Sequence, residues 1–439
     1  MKEHFQCSLN LLDDRKSKIT IPSRTIPKDF SVDQDEFFCG GYFIGYDCSY
    51  TKEKIVDLFK NSQFSSMARK SADFLILFIN KQSKEIFVLT GQTGKFPCYF
   101  AIENNILFLS TNFAWVAKQI QKKTININYV SQFIINGNAS LITEETLFKE
   151  IKQIPPAILL TVSQDQNITL TICGGMPSII KEKDKLQYSI FASKVLSLLE
   201  QLIEERLNTI KNTPYIIELS SGYDSSLVAA ILAKKTKGTL HAQSIISNLS
   251  PKNNVKEITQ KFAQKHKINV KFVNIDTIFP FSTATELQFT QEYFYPADNS
   301  FDFVPTRYNF ARDEEFAVFN GNGGDELYMG GRHLSLLYPI QIEYFKTISN
   351  LKLGLKEIFT REILEYLTSQ KRFTKLNLFA NEIPSSTLTF NLQHFPVYWE
   401  TNTWGMSPFT DIRMAQLSVF APKNTSKYEI WKDRHDIFL

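Results

Sequence analysis

From Phe37 to about Ser110 the apolar residues come in short runs separated by turn-forming residues, a pattern that predicts strands. Phe74-Leu-Ile-Leu-Phe-Ile-Asn80 reads as one strand, Lys81-Gln-Ser-Lys84 as a turn, and Glu85-Ile-Phe-Val-Leu-Thr90 as the next strand. Residues 98–102 and 106–110 form a further pair joined at Glu103-Asn-Asn105. Such regular spacing predicts a sheet-based layer domain rather than a helical bundle. Turn residues and charge then mix from Val162 to Lys185, which marks a boundary. After it the period lengthens to that of a helix. Its apolar side carries Ile190, Val195, Leu196, Leu198, Leu199, Leu202 and Ile203, and Glu200, Glu204, Glu205 and Arg206 face out.

Beyond this helix, strands and helices alternate. Residues 215–219, 240–246 and 270–276 read as strands, and 227–233 and 255–266 as helices. This spacing predicts βαβ units and a parallel sheet. Ligands of such sheets sit at the carboxyl ends of the strands, which sets the turn after Leu219 beside Ser244 and Ile245.

That turn, Ser220-Ser-Gly-Tyr-Asp-Ser-Ser226, is short, rich in hydroxyls and placed at a helix N-terminus. Free backbone N–H groups and a positive dipole end suit an anion there. It has no lysine for a Walker A loop and a single glycine where a dinucleotide fingerprint needs three. Neither serine has the flanking glycines of a nucleophile elbow. Alone, the stretch also fits an ordinary strand–turn–helix with a serine cap. A second motif, Ala317-Val-Phe-Asn-Gly-Asn-Gly-Gly-Asp-Glu-Leu-Tyr-Met-Gly-Gly-Arg332, runs from a short strand into a glycine-rich turn with two acids. By itself Asp325 could simply cap a helix.

Composition narrows the classes. At 439 residues the chain has room for two or three domains. Its 49 basic and 45 acidic residues give a net charge of +4, too mild and too scattered to argue for nucleic acid or a membrane surface. The N-terminus lacks the apolar core of a signal peptide, and no apolar run approaches a membrane span. Five cysteines without framework spacing predict reduced thiols in a cytoplasmic protein, and six dispersed histidines suggest no zinc or iron site.

Together these motifs carry a resemblance. The 220–226 turn is similar to the Ser-Gly-Gly-x-Asp-Ser pyrophosphate loop of ATP-pyrophosphatases, with Ser221 in place of the first glycine. The second motif resembles the Ser-Gly-Glu-Gly-x-Asp-Glu-x-Phe-x-Gly-Gly stretch of asparagine synthetases. Gly91-Gln-Thr-Gly-Lys-Phe-Pro-Cys-Tyr-Phe100 and Glu145-Thr-Leu-Phe-Lys-Glu-Ile-Lys-Gln-Ile-Pro-Pro156 resemble segments of that family's N-terminal amidotransferase domain. Trp404-Gly-Met-Ser-Pro-Phe-Thr-Asp411 looks like the family's Arg-x-Pro-Phe-Leu-Asp segment, and Lys427-Tyr-Glu-Ile-Trp431 like its Lys-x-x-Leu-Arg, with Trp431 for the arginine.

The resemblance implies an α+β N-terminal amidotransferase-like (Ntn-type) β-sandwich, then an α/β parallel-sheet ATP-pyrophosphatase synthetase domain of the adenine nucleotide α-hydrolase-like kind. Expected bounds are 1–170 for the first, 171–187 for a linker and 188–439 for the second. It implies ATP and Mg²⁺ as cofactors. Leu219, Ser220, Ser221, Gly222, Asp224, Ser225, Ser226, Ile245, Asn320 and Gly321 would bind the nucleotide, Asp224 and Asp325 the metal, and Lys427 would be the catalytic lysine.

The departures carry as much as the match. The family's glutaminase uses an N-terminal cysteine exposed by loss of the initiator Met, but residue 2 is Lys2, and Cys7 could serve only after cleavage of a propeptide. No glutaminase activity is expected. At the third position of the second motif, where asparagine synthetases carry glutamate, stands Asn322. Its amide can orient an amine but not take its proton, which points to catalysis on a substrate amine, as in β-lactam synthetases and lasso-peptide macrolactam cyclases.

The expected reaction is adenylation of a carboxylate and attack by an amine, AMP and pyrophosphate being released, in natural-product or peptide biosynthesis. The partners expected are a small-molecule or peptide substrate bearing both groups, and other biosynthetic proteins. An ammonia-dependent asparagine synthetase and a catalytically silent nucleotide- or peptide-binding member are the alternatives.

Overall fold

A computed structural model describes residues 4–12, 17–24, 28–46, 51–127, 129–130, 144–174, 186–211, 213–247, 254–274, 276, 315–324, 399 and 403–418. Two antiparallel sheets form the N-terminal half. The strands are β1 (Gln6–Asn10), β2 (Lys18–Thr20), β3 (Lys28–Asp33), β4 (Phe37–Gly45), β5 (Ala72–Asn80), β6 (Glu85–Thr90), β7 (Tyr99–Glu103), β8 (Ile106–Ser110), β9 (Lys152–Gln153), β10 (Ile158–Val162) and β11 (Ile168–Ile172). One sheet has the order β2-β1-β8-β7-β9 and the other β11-β10-β6-β5-β4-β3.

Strand β5 shows why its sequence is a continuous apolar run. Leu75 and Leu77 point into the core shared with β1 and β8, where Cys7, Leu9, Leu107 and Leu109 are buried. Phe74, Ile76 and Phe78 point the other way, onto helices α1 (Lys52–Lys60) and α2 (Phe64–Ala68) through Ile55, Phe59 and Met67. A strand covered on both faces has no need of polar alternation. Helix α3 (Phe113–Gln119) covers the other sheet with Phe113 and Val116.

Strand β11 lies inside the stretch whose turn residues and charge mark a boundary. Its Ile168-Thr-Leu-Thr-Ile172 alternation pairs with β10, and the N–H groups of Cys173 and Gly174 reach the carbonyl of Ala157. An exposed edge strand is polar enough to be read as linker.

The second half is built on a parallel sheet. Helix α4 (Tyr188–Thr209) leads into β12 (Tyr215–Glu218), α5 (Tyr223–Lys235), β13 (Leu240–Ile246), α6 (Val255–Lys265) and β14 (Ile268–Asn274), and β15 (Phe316–Phe319) and β16 (Thr403–Met406) complete the sheet. A 3₁₀ turn over Pro408–Thr410 precedes α7 (Ile412–Ser418). All four strand pairs are parallel, in the order β14-β13-β12-β15-β16. The chain moves outward from β12 through β13 to β14 and re-enters on the other side of β12 as β15. The β12–β15 boundary is therefore a topological switch point, where the ends of parallel strands leave a crevice.

Two expectations for α4 are corrected. Ile190 is 46% exposed and Phe191 takes the buried position. Arg206, expected to face out, is 1% exposed, because its Nη2 meets the Asp411 carboxylate at 3.2 Å. The third strand also begins two residues earlier than the β-branched run suggested, at Ile268.

The halves are locked together by buried polar contacts. Arg24 stacks on Trp399 at 4.3 Å and donates to its carbonyl at 3.0 Å, and His4 and Tyr42 pack on the same indole. Lys95 donates to the Asp73 carboxylate at 2.9 Å and to the Gly405 carbonyl at 2.8 Å, and Tyr46 donates to the same carboxylate. Across this seam Ser71 and Arg206 hold Asp411, and Arg413 bridges Asp411 and Glu205.

Candidate nucleotide site

The switch point holds a cavity of 310 Å³ lined by Glu218, Leu219, Ser220, Gly222, Asp224, Ser225, Gln243, Ile245, Asn320, Gly321 and Asn322. Most of the nucleotide-binding residues expected from the sequence thus meet in one place. Ser221 is exposed and Ser226 buried, and neither lines the cavity. Asp325 and Lys427 lie outside the described residues, as does Trp431.

The first wall is the turn between β12 and α5. Ser225 Oγ accepts from the Ser220 N–H at 3.1 Å and pairs with Ser220 Oγ at 2.8 Å, while Ser220 Oγ accepts from the Gly222 N–H at 3.1 Å. These bonds fold the turn back on itself. Gly222 caps α5 without a side chain, so no cap oxygen occupies the amides of the first turn. What remains is a positive helix end facing a cavity, a ready anion site.

The second wall is the turn after β15. Asn320 is 2% exposed; its Oδ1 accepts from Ser407 Oγ at 2.6 Å and from the Asn322 N–H at 3.2 Å. The glycines here answer to close approach. A Cβ on Gly321 would lie 2.5 Å from the Ser225 nitrogen, and one on Gly324 would lie 2.4 Å from Asp224 Cγ. Only bare backbone lets this turn lie against the first one. Asp224 is 8% exposed, and Gly324, the residue before Asp325, rests on its carboxylate.

Electrostatics behind the site support its rigidity. Burial raises the cost of charge on Asp411, yet Arg206, Arg413 and the Ser71 hydroxyl outweigh it and hold the carboxyl below its usual range. Burial pulls the Lys95 ammonium down, and Asp73 opposes it. Both groups brace the β16–α7 segment that carries Ser407.

The sequence profile of the asparagine synthase family matches residues 194–428, more than half of the chain. The chain belongs to the asparagine synthase family. It is an ATP-dependent carbon–nitrogen ligase. No curated protein matches it in sequence.

Among solved structures, it is similar to an NH3-dependent NAD synthetase from Campylobacter jejuni in complex with the nitrate ion. The identity is 15%, over 45% of this chain and 98% of that one, with a TM-score of 0.25. A glutamine phosphoribosylpyrophosphate amidotransferase from B. subtilis, complexed with ADP and GMP, shares 8% identity over 67% of this chain and 57% of that one, with a TM-score of 0.21. Likenesses at these scores decide nothing about this asparagine synthase family member. Its membership rests on the sequence match.

Two lining residues, Glu218 and Gln243, had no signal in the sequence. Both are polar residues inside strands, where the local pattern gives no reason to expect a ligand. The pairing of Glu218 with Gln243 across β12 and β13 is what brings them to the cavity wall.

Proposed function

We propose that the protein adenylates a substrate carboxylate with ATP and lets a substrate amine displace AMP, in natural-product or peptide biosynthesis of the lactam or lasso type, without glutaminase activity. The observation that carries this reading is Asn322 at the cavity wall. Its Nδ2 is buried and has no hydrogen-bond partner among the described residues. An amide can hold an incoming amine in line by hydrogen bonds, but at neutral pH it cannot accept its proton. That suits an amine delivered by the substrate.

A free carboxylate is a poor electrophile, and transfer to the α-phosphate of ATP gives it a good leaving group. The Ser220–Ser226 turn and the α5 N-terminus would hold the pyrophosphate oxygens as charge develops. Among the described residues no group of three His, Cys, Asp or Glu side chains forms a metal cage. Mg²⁺ needs none, since it binds through one or two carboxylates and the substrate's phosphates. Asp224, at the cavity floor, fits that role, with Asp325 proposed as its partner; the ion would neutralise phosphate charge. Lys427 is proposed to meet the charge of the adenylation and amide-forming steps.

Cys7 supports the loss of glutaminase. It sits mid-strand in β1, paired with Ile19 and Leu109 and fully buried, and burial followed by the nearby Cys98 pushes its thiol well above the usual range. A buried, protonated thiol is no nucleophile.

The test is pyrophosphate release against a panel of carboxylate–amine substrates. Asp224→Ala and Lys427→Ala should each abolish release, a loss of at least about 10²-fold, with the fold retained. Near wild-type turnover in either variant would refute the assignment. Asparagine formation from aspartate and ammonia, or rapid ammonia release from glutamine, would overturn the proposed chemistry.

A further inference from the structure

Gln243 stands at the cavity wall with a chemistry the pyrophosphate turn does not need. It is 3% exposed, and neither Oε1 nor Nε2 finds a hydrogen-bond partner among the described residues. Its backbone carbonyl accepts from the Leu219 N–H at 2.8 Å. Its neighbours at alternate positions are His241 and Ile245, so side-chain alternation sets Gln243 on the same face of β13 as Ile245, and both line the cavity. A buried amide without partners is a cost to folding that a leucine or methionine would avoid. A ligand that completes its bonds accounts for it.

The surroundings say which part of a ligand that is. The anion-binding turn follows β12, and Gln243 lies one strand over on β13, directly opposite Glu218. A carboxylate beside the amide repels phosphate and accepts from an amino group. A carboxamide offers one acceptor and two donors on a single plane, which pairs with the N6 amino group and N7 of adenine. Guanine presents two acceptors on the same edge, so the amide could meet them only with its donors, and its own acceptor would go unused.

We propose that Gln243 reads the adenine edge of the bound nucleotide, accepting from N6 and donating to N7. This rests on the reading of the cavity as the ATP site, and deepens it by naming the specificity-determining residue.

The experiment is equilibrium binding of three probes in the presence of Mg²⁺: ATP, purine riboside triphosphate, which lacks the 6-amino group, and inorganic tripolyphosphate. The wild-type chain should bind ATP about tenfold or more tighter than purine riboside triphosphate. Gln243→Met, unbranched and similar in volume, should bind the two nucleotides alike and leave tripolyphosphate affinity unchanged. Gln243→Leu should behave in the same way and serves if the first variant folds poorly, as judged by thermal melting. Preference for ATP retained in these variants overturns the inference and leaves the ATP site standing. Equal loss of all three probes assigns Gln243 a structural role and also overturns it. If the wild-type chain binds ATP no tighter than tripolyphosphate, the ATP reading of the cavity falls, and the inference with it.

Discussion

Gly324 rests its backbone on the carboxylate of Asp224, with space so tight that a methyl group there would sit 2.4 Å from Cγ and 2.7 Å from either carboxylate oxygen. Two turns separated by about a hundred residues of chain thus share one surface. The turn after β15 packs directly on Asp224, and the metal-binding geometry proposed for that carboxylate would depend on a residue with no side chain.

Gly324→Ala should therefore displace Asp224 or lift the second turn. Pyrophosphate release should fall by about 10²-fold, since a displacement of about 1 Å at a reacting centre costs that much. Gly45→Ala, in β4 and outside the cavity lining, is the control: its added carbon would meet only the ring of Phe43, which can turn away. Steady-state kinetics on both, with melting curves, checks the contrast. Equal effects from the two would contradict the packing argument.

Lys95 pairs with Asp73 where the two side chains are 7% and 0% exposed, and it reaches across to the Gly405 carbonyl of the second half. Lys95→Ala leaves a buried carboxylate with, among the described residues, the Tyr46 hydroxyl alone, and should cost about 3–5 kcal/mol of stability. The double variant Lys95→Met with Asp73→Asn removes the stranded charge and should recover part of that loss. Denaturant unfolding of the single and double variants measures it; a double variant worse than the sum of the two singles would exclude the pairing.

Burial pushes the Cys39 thiol up to about 12, and Cys7 and Cys98 are shifted upward for the same reason. In the folded chain these thiols keep their protons at alkaline pH, while in the unfolded chain they ionise near pH 8.5. A raised folded value adds stability below the unfolded value that is lost as the pH rises through the folded one. At pH 8 a Cys48→Ser variant, which removes the cysteine outside the described residues, should show no thiol reacting with an alkylating reagent until denaturant is added. Prompt modification of Cys7 in the folded protein would reopen it as a nucleophile.

Much of the site was legible because it is local. The turn at 220–226 lies between a strand and a helix whose apolar patterns are strong, and the glycines of the second motif mark close approach wherever they occur. The parallel sheet followed from the alternation of strand and helix. β11 and the outward reading of Arg206 went astray for one reason: period and polarity report the average face of an element, and edge strands and buried ion pairs depart from that average.

The sequence by itself determined the two turns, the order of the sheet-forming segments and the family, because each rests on residues adjacent along the chain. Only the tertiary structure decided that Arg206 is buried against Asp411, that Gly324 covers Asp224 and that Gln243 reaches the cavity with an amide that has no partner among the described residues. Those are pairings between segments remote in sequence, and whether a polar group ends in water, on a partner or in a binding site is set by what packs over it.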